Sequence, residues 1–139
     1  MPQTGRRDLR LALLLAAAYL LIGITFGQFS DWAPTNAMRL MWRRLAWLVS
    51  GVGFAAHISY GLFGLGNSPL GTAMYASIAA ALGAGTLALA ANVHELMATS
   101  NYRPSMAVAL VAWPLLTAIP AFFVALAAAA ALNRWCRRP

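Results

Sequence analysis

Four apolar runs, each long enough to cross a hydrocarbon core about 30 Å thick, leave this chain few ways to fold. Read with their flanks, they occupy roughly residues 10–29, 38–65, 70–98 and 105–132. Lipid offers no hydrogen bonds to a spanning backbone, so each run must satisfy its own amides as a helix. The connections between the runs are short and rich in Pro, Asn, Ser and Gly. The expected fold is all-α: an integral membrane four-helix bundle, up-down-up-down, forming a single transmembrane domain over residues 1–139. With 61% apolar and only 9% charged residues, the composition lies outside ordinary soluble usage.

The net charge of +7 does not point to nucleic acid. All ten basic residues are Arg, and they sit at the ends of apolar runs instead of alternating with aromatics along one surface. They read as membrane anchors. Cys136 is the only cysteine and has no Cys or His at ligand spacing.

Arg6, Arg7 and Arg10 precede the first run, which is too long for a signal peptide and lacks a small-x-small cleavage site before Asp31. It is expected to be retained as a span. Its Gly23 and Gly27 form a GxxxG pair, expected to serve packing within the chain. In the next turn, Pro34 stops the first helix and Thr35 or Asn36 caps the second. Between the second and third spans, Ser68 is placed to cap and Pro69 to open the third helix, making spans two and three antiparallel neighbours. Pro114 and Pro120 each remove a backbone hydrogen bond from the fourth span, which predicts a bend or loosened turn there. Residues 133–139 read as an interfacial tail with Trp135 at headgroup level.

The second span carries the most information. At 100° per residue, Arg39, Arg43, Ala46, Ser50, Gly53, His57, Tyr60, Gly61 and Gly64 fall on one polar or small stripe. Leu48, Val52, Ala55, Leu62 and Phe63 fall opposite, with Ser59 able to return its hydroxyl to the carbonyl one turn back. One side is expected to face protein and the other lipid. His57 lies roughly 18 Å past the last arginine of this span, near the middle of the core. An ionisable residue at that depth is a functional candidate.

The third span is small on two sides, Gly71, Ala81, Gly85 and Ala88 along one stripe and Ala76, Ala80, Gly83 and Ala90 along the other. Small residues mark close helix contact in lipid, so this helix is expected at the centre. Its end brings Asn92, His94 and Glu95. A tight turn between spans two and three places His57 at the depth of Met74, Ser77, Ile78 and Ala81. It places Glu95 near Arg39 and Arg43, with Arg39 the better partner because its long stem can reach while the guanidinium grips both carboxylate oxygens.

Three functions compete for these residues. The first is a scaffold or accessory subunit of a larger membrane assembly, with partner membrane proteins or further copies of the chain and the lipid bilayer around it. In this reading His57 and Ser77 hold helices together. The second is a small transporter or channel subunit working along the His57 and Tyr60 stripe. The third makes His57 a haem or pigment ligand, but His94 lies far from it in depth and cannot share an iron with it. The outline of four spans resembles small multidrug transporters, which carry a membrane-embedded acid in the first span; residues 11–29 carry none. It resembles cytochromes of the b561 type less, since these need four histidines at matched depths. Three acidic residues cannot furnish paired carboxylates or a catalytic triad, so no enzyme and no cofactor is expected. The first reading is preferred.

Arginine placement orients the chain. Arg6, Arg7, Arg10, Arg134, Arg137 and Arg138, six, lie on the side of the termini; Arg39, Arg43, Arg44 and Arg103, four, lie opposite. The positive-inside rule then favours cytoplasmic termini, and the absence of Lys beside abundant Ala, Leu and Arg, compatible with a GC-rich bacterial genome, makes a bacterial inner membrane the expected location. A reporter fused after Pro139 should be active only inside the cell, and activity only outside would reverse the orientation.

Overall fold

The computed structural model describes the backbone of residues 3–98 and 104–136, and the side chains of residues 5–97 and 106–136. It contains four long helices: α1 (Gln3–Trp32), α2 (Asn36–Ser59), α3 (Pro69–Ala98) and α4 (Pro104–Cys136). Each is long and apolar enough to cross a membrane. The third connection after Ala98, with Arg103, and the tail positions Arg137 and Arg138 lie outside the described residues.

The helix ends follow from local chemistry. Thr35 caps α2, its hydroxyl oxygen accepting from the Met38 amide at 3.3 Å. Ser68 does the same for α3, accepting from the Gly71 amide at 3.1 Å, and Pro69 takes the first helical position, where a missing N–H costs nothing. α1 begins earlier than the apolar run suggests and takes in Arg6, Arg7, Asp8 and Arg10. α4 passes through Pro114 and Pro120 without interruption and continues into the expected tail as far as Cys136.

The end of α2 departs from the expected register. Residues Tyr60–Gly64 form one π-helical turn, marked by the Leu65 amide reaching back five residues to the Tyr60 carbonyl at 3.0 Å. Gly66, in the left-handed region at φ 68°, then reverses the chain so that the Asn67 amide donates to the Gly61 carbonyl at 3.0 Å. The buried side of this end takes in Ile58, and Leu62, four residues on, shares its face. Leu62, assigned to the lipid side by a constant 100° step, is instead buried beside Ile58 against Ala73 and Ala76 of α3 and Ala125 and Ala129 of α4.

Helix α3 occupies the centre, packed most extensively on α4 and then on α1. Its small residues set the spacing. A Cβ at Gly83 would lie 2.9 Å from Cβ of Tyr19 on α1, and one at Gly85 would lie 3.3 Å from Cγ of Pro114 on α4. Reciprocally, Gly23 of α1 receives Leu87 of α3, where an added Cβ would fall 2.5 Å from a leucine methyl. Gly23 therefore packs within the chain, but its GxxxG partner Gly27 has nothing within 4 Å of a Cβ. Helix α2 packs chiefly on α1 rather than on its hairpin partner α3. Over residues 36–56 not one of its side chains is buried. Its buried residues, His57 and Ile58, and those of the π-turn, Gly61 and Leu62, all lie at the end near the α2–α3 connection.

Packing this close makes Gly83 intolerant of a branched side chain. Gly83→Val is expected to lower unfolding stability in detergent by about 1–3 kcal/mol, the usual cost of overpacking. Gly51→Val, with nothing within 4 Å of its Cβ, should change it little. Equal effects in the two variants would contradict the α1–α3 contact.

Candidate functional site

Polar side chains gather where the start of α1 meets the α2–α3 connection. Asp8 is only 5% exposed although it stands among three arginines in sequence. Its carboxylate accepts a hydrogen bond from the Asn67 side-chain amide at 2.7 Å, a short bond of the charge-assisted kind. Asn67 is held for this by the reversed chain at Gly66 and by its own amide bond to Gly61. Close by, Thr72 packs its side chain onto Gly61, where an added Cβ would lie 3.1 Å from its methyl. The Thr72 hydroxyl is buried without a hydrogen-bond partner.

His57 belongs to the same end. It is 5% exposed, its Nδ1 is buried without a hydrogen-bond partner, and Asp8 lies within electrostatic reach of the ring. The ring does not face Ser77, as the tight turn suggests. It lines a groove of about 360 Å³ between α1 and α2, with Leu11, Leu14, Leu15 and Ala18 on one wall and Gly53, Ala56 and Tyr60 on the other. Ser77 donates instead to the Met74 carbonyl at 2.8 Å within its own helix. Tyr60 is about half exposed, and its ring lies over Gly64, whose lack of a side chain makes room for it. The walls of this groove are almost entirely apolar.

The remaining sequence candidates are dispersed. Ser50 is half-buried in the middle of α2. Arg39 and Arg43 are exposed on the part of α2 that meets α1 through Trp42, whose ring centroid is 5.0 Å from that of Phe29. Asn92 is buried on α3 and donates to the Ala88 carbonyl at 2.8 Å, and Glu95 is half-buried one turn beyond it. His94 is exposed. Among the described residues no three of His, Cys, Asp and Glu converge as metal ligands do.

Sequence reasoning missed Asp8, Asn67 and Thr72. The signal for Asp8 was present: a lone acid at helical spacing from Leu11, Ala12 and Leu15, and so on their face, in a helix whose apolar run starts almost immediately after it. Helix α1 extends beyond residues 11–29 at both ends and so takes in Asp8 in its first turns and Asp31 in its last. What the arrangement offers chemically is a carboxylate hydrogen-bonded to an amide and, separately, a buried imidazole nitrogen without a hydrogen-bond partner. The Thr72 hydroxyl has no base bonded to it and is no activated nucleophile.

Compared with known proteins, the chain matches no family model, no curated protein and no solved structure.

A buried carboxylate that loses its donor is costly. Asn67→Ala is expected to remove about 1.5–3 kcal/mol of detergent stability, the range for a hydrogen bond to a charged group. Asp8→Ala in the same background should recover much of that loss by removing the stranded charge. Additive losses from the two changes would show that the pair is not coupled.

Proposed function

We propose that this protein is a small integral membrane subunit without catalysis of its own, which joins a larger membrane assembly through α2. The observation that carries the reading is that residues 36–56 of that helix combine no buried side chain with packing chiefly on α1, whereas the equally unburied residues 106–124 of α4 belong to a helix packed extensively on α3. Helices in lipid gain nothing from the hydrophobic effect on associating; they hold by close packing and polar contacts. Over residues 36–56, α2 has such packing chiefly on the side toward α1. Its outward face presents Leu48, Gly51, Val52 and Ala55, and the Gly51 backbone is open, with nothing within 4 Å of an added Cβ. A small residue in open space lets a partner helix approach closely.

An up-down-up-down course with cytoplasmic termini in a bacterial inner membrane fits this reading. Asp8 meets Asn67, so the start of α1 lies beside the α2–α3 connection. Ala125 and Ala129, late in α4, cluster with Ala73 and Ala76, early in α3. Both contacts support alternating directions. The contact of His57 with α1 supports its role as a structural residue of the bundle.

A second reading, a small transporter or channel subunit, draws on the buried Asp8–Asn67 bond beside His57. A buried acid and imidazole in a membrane helix pair are the groups a proton-coupled carrier uses.

The experiment is purification from the native membrane in mild detergent. Wild type should carry a stoichiometric membrane partner, or a second copy of itself, and Gly51→Leu should release it while leaving the isolated bundle as stable as before. A chain that purifies alone, with solute flux in vesicles that Asp8→Asn abolishes and Gly51→Leu spares, would replace the accessory reading by the transporter one.

A further inference from the structure

A second groove, of about 250 Å³, lies between the end of α1 and the start of α2 and has a different character from the one at His57. Its lining carries one cation, Arg43, and one anion, Asp31, together with Ser30, Phe26, Gly27 and Trp47. Ser30 is 2% exposed and its hydroxyl has no hydrogen-bond partner, which is unusual for a serine in a helix, where the carbonyl one turn back is within reach. Arg43 and Asp31 line the same groove, yet among the described residues no ion pair joins them. Opposite charges held apart beside apolar side chains complement a ligand that carries both charges and an apolar tail.

Depth decides how such a ligand lies. Asp31 is in the last turn of α1 and sits at the membrane boundary with Trp32, which is largely exposed. Arg43 lies about two turns into α2 and so deeper than Asp31, near the level of Gly27. Going outward, the groove therefore offers small and aromatic walls, then a guanidinium, then a carboxylate. A phospholipid with its chains in the core presents its groups in that order: acyl chain, phosphate, then the headgroup amine. Gly27 gives the chain its room, since nothing lies within 4 Å of a Cβ there.

We propose that this groove is a binding site for a phospholipid with a phosphoethanolamine headgroup. Arg43 takes the phosphate, for which a planar guanidinium is the fitting donor. Asp31 accepts from the primary ammonium. Choline lacks N–H donors for Asp31, and an anionic glycerol headgroup places no cation against it. The site thus selects among lipids by the pairing at Asp31 and holds them by the pairing at Arg43. It does not depend on the accessory-subunit reading.

The test uses the full chain reconstituted in vesicles of equal parts phosphatidylethanolamine, phosphatidylcholine and phosphatidylglycerol, extracted gently, with the retained lipid quantified by mass spectrometry. Wild type should retain phosphatidylethanolamine at least several-fold over the other two. Asp31→Asn should cancel that preference, Arg43→Gln should remove most retained lipid of every class, and Gly27→Leu should do so by filling the groove. Asp31 and Arg43 are exposed, so those two variants remain informative if Gly27→Leu disturbs the bundle. Equal retention of the three lipids by wild type, or a preference that survives both Asp31→Asn and Arg43→Gln, would overturn the proposal.

Discussion

Every other feature of this molecule depends on how closely two helices can approach α3. In lipid, burying a leucine against another leucine gains little over burying it against an acyl chain, so the contacts that hold the bundle must come from atoms brought unusually near. Gly83 and Gly85 lie on α3 with Tyr19 and Pro114 set into them, and Gly23 of α1 takes Leu87 in return. The buried set along α3 is mostly alanine: Ala73, Ala76, Ala79, Ala80 and Ala88. A helix with this surface can serve two neighbours at once. α2 has no such surface toward α3 beyond Ile58 and the adjoining Leu62, and it is accordingly held by α1 and by its last turns.

Polar side chains in such a bundle divide by what satisfies them. Ser59, Ser77, Thr86 and Thr117 return their hydroxyls to carbonyls of their own helix and can tolerate lipid or protein around them. Asp8 is different, because an acceptor-only carboxylate needs a donor from elsewhere, and the chain reversal at Gly66 delivers Asn67 to it. Ser30, Thr72 and His57 keep buried atoms with no hydrogen-bond partner, and two of the three lie along the grooves between α1 and α2. The seam between α1 and α2 thus holds both described grooves, whereas α3 meets its neighbours through close glycine and alanine contacts. That contrast is what directs both the partner reading and the lipid site to the same pair of helices.

Much of the fold was legible because membrane helices advertise themselves. The capping chemistry of Thr35, Ser68 and Pro69 and the two small faces of α3 could be read directly, and the structure shows them in those roles. The candidate site was less legible, for three physical reasons. The polar stripe through His57 marks only part of the buried side, which also takes in Ile58 and, four residues on, Leu62. A short connection shows that two helices start together but not that they stay together, and α1 took the place beside His57 that α3 was expected to hold. Asp8 stands in the run Arg6, Arg7, Asp8, Leu9, Arg10, where its neighbours read as headgroup anchors, and only the fold turns it inward onto Asn67.

We propose that α2 is covered by another membrane component over the length that its own chain leaves open. Single cysteines placed along residues 44–56 and labelled with a lipid-soluble maleimide report that coverage residue by residue, in native membranes and in the purified chain. Positions 48, 51, 52 and 55 are expected to be protected in the native membrane and to become reactive on purification, while position 53, which faces Leu15 of α1, stays slow in both. The same labelling pattern before and after purification would show that lipid alone covers α2, and would contradict the claim.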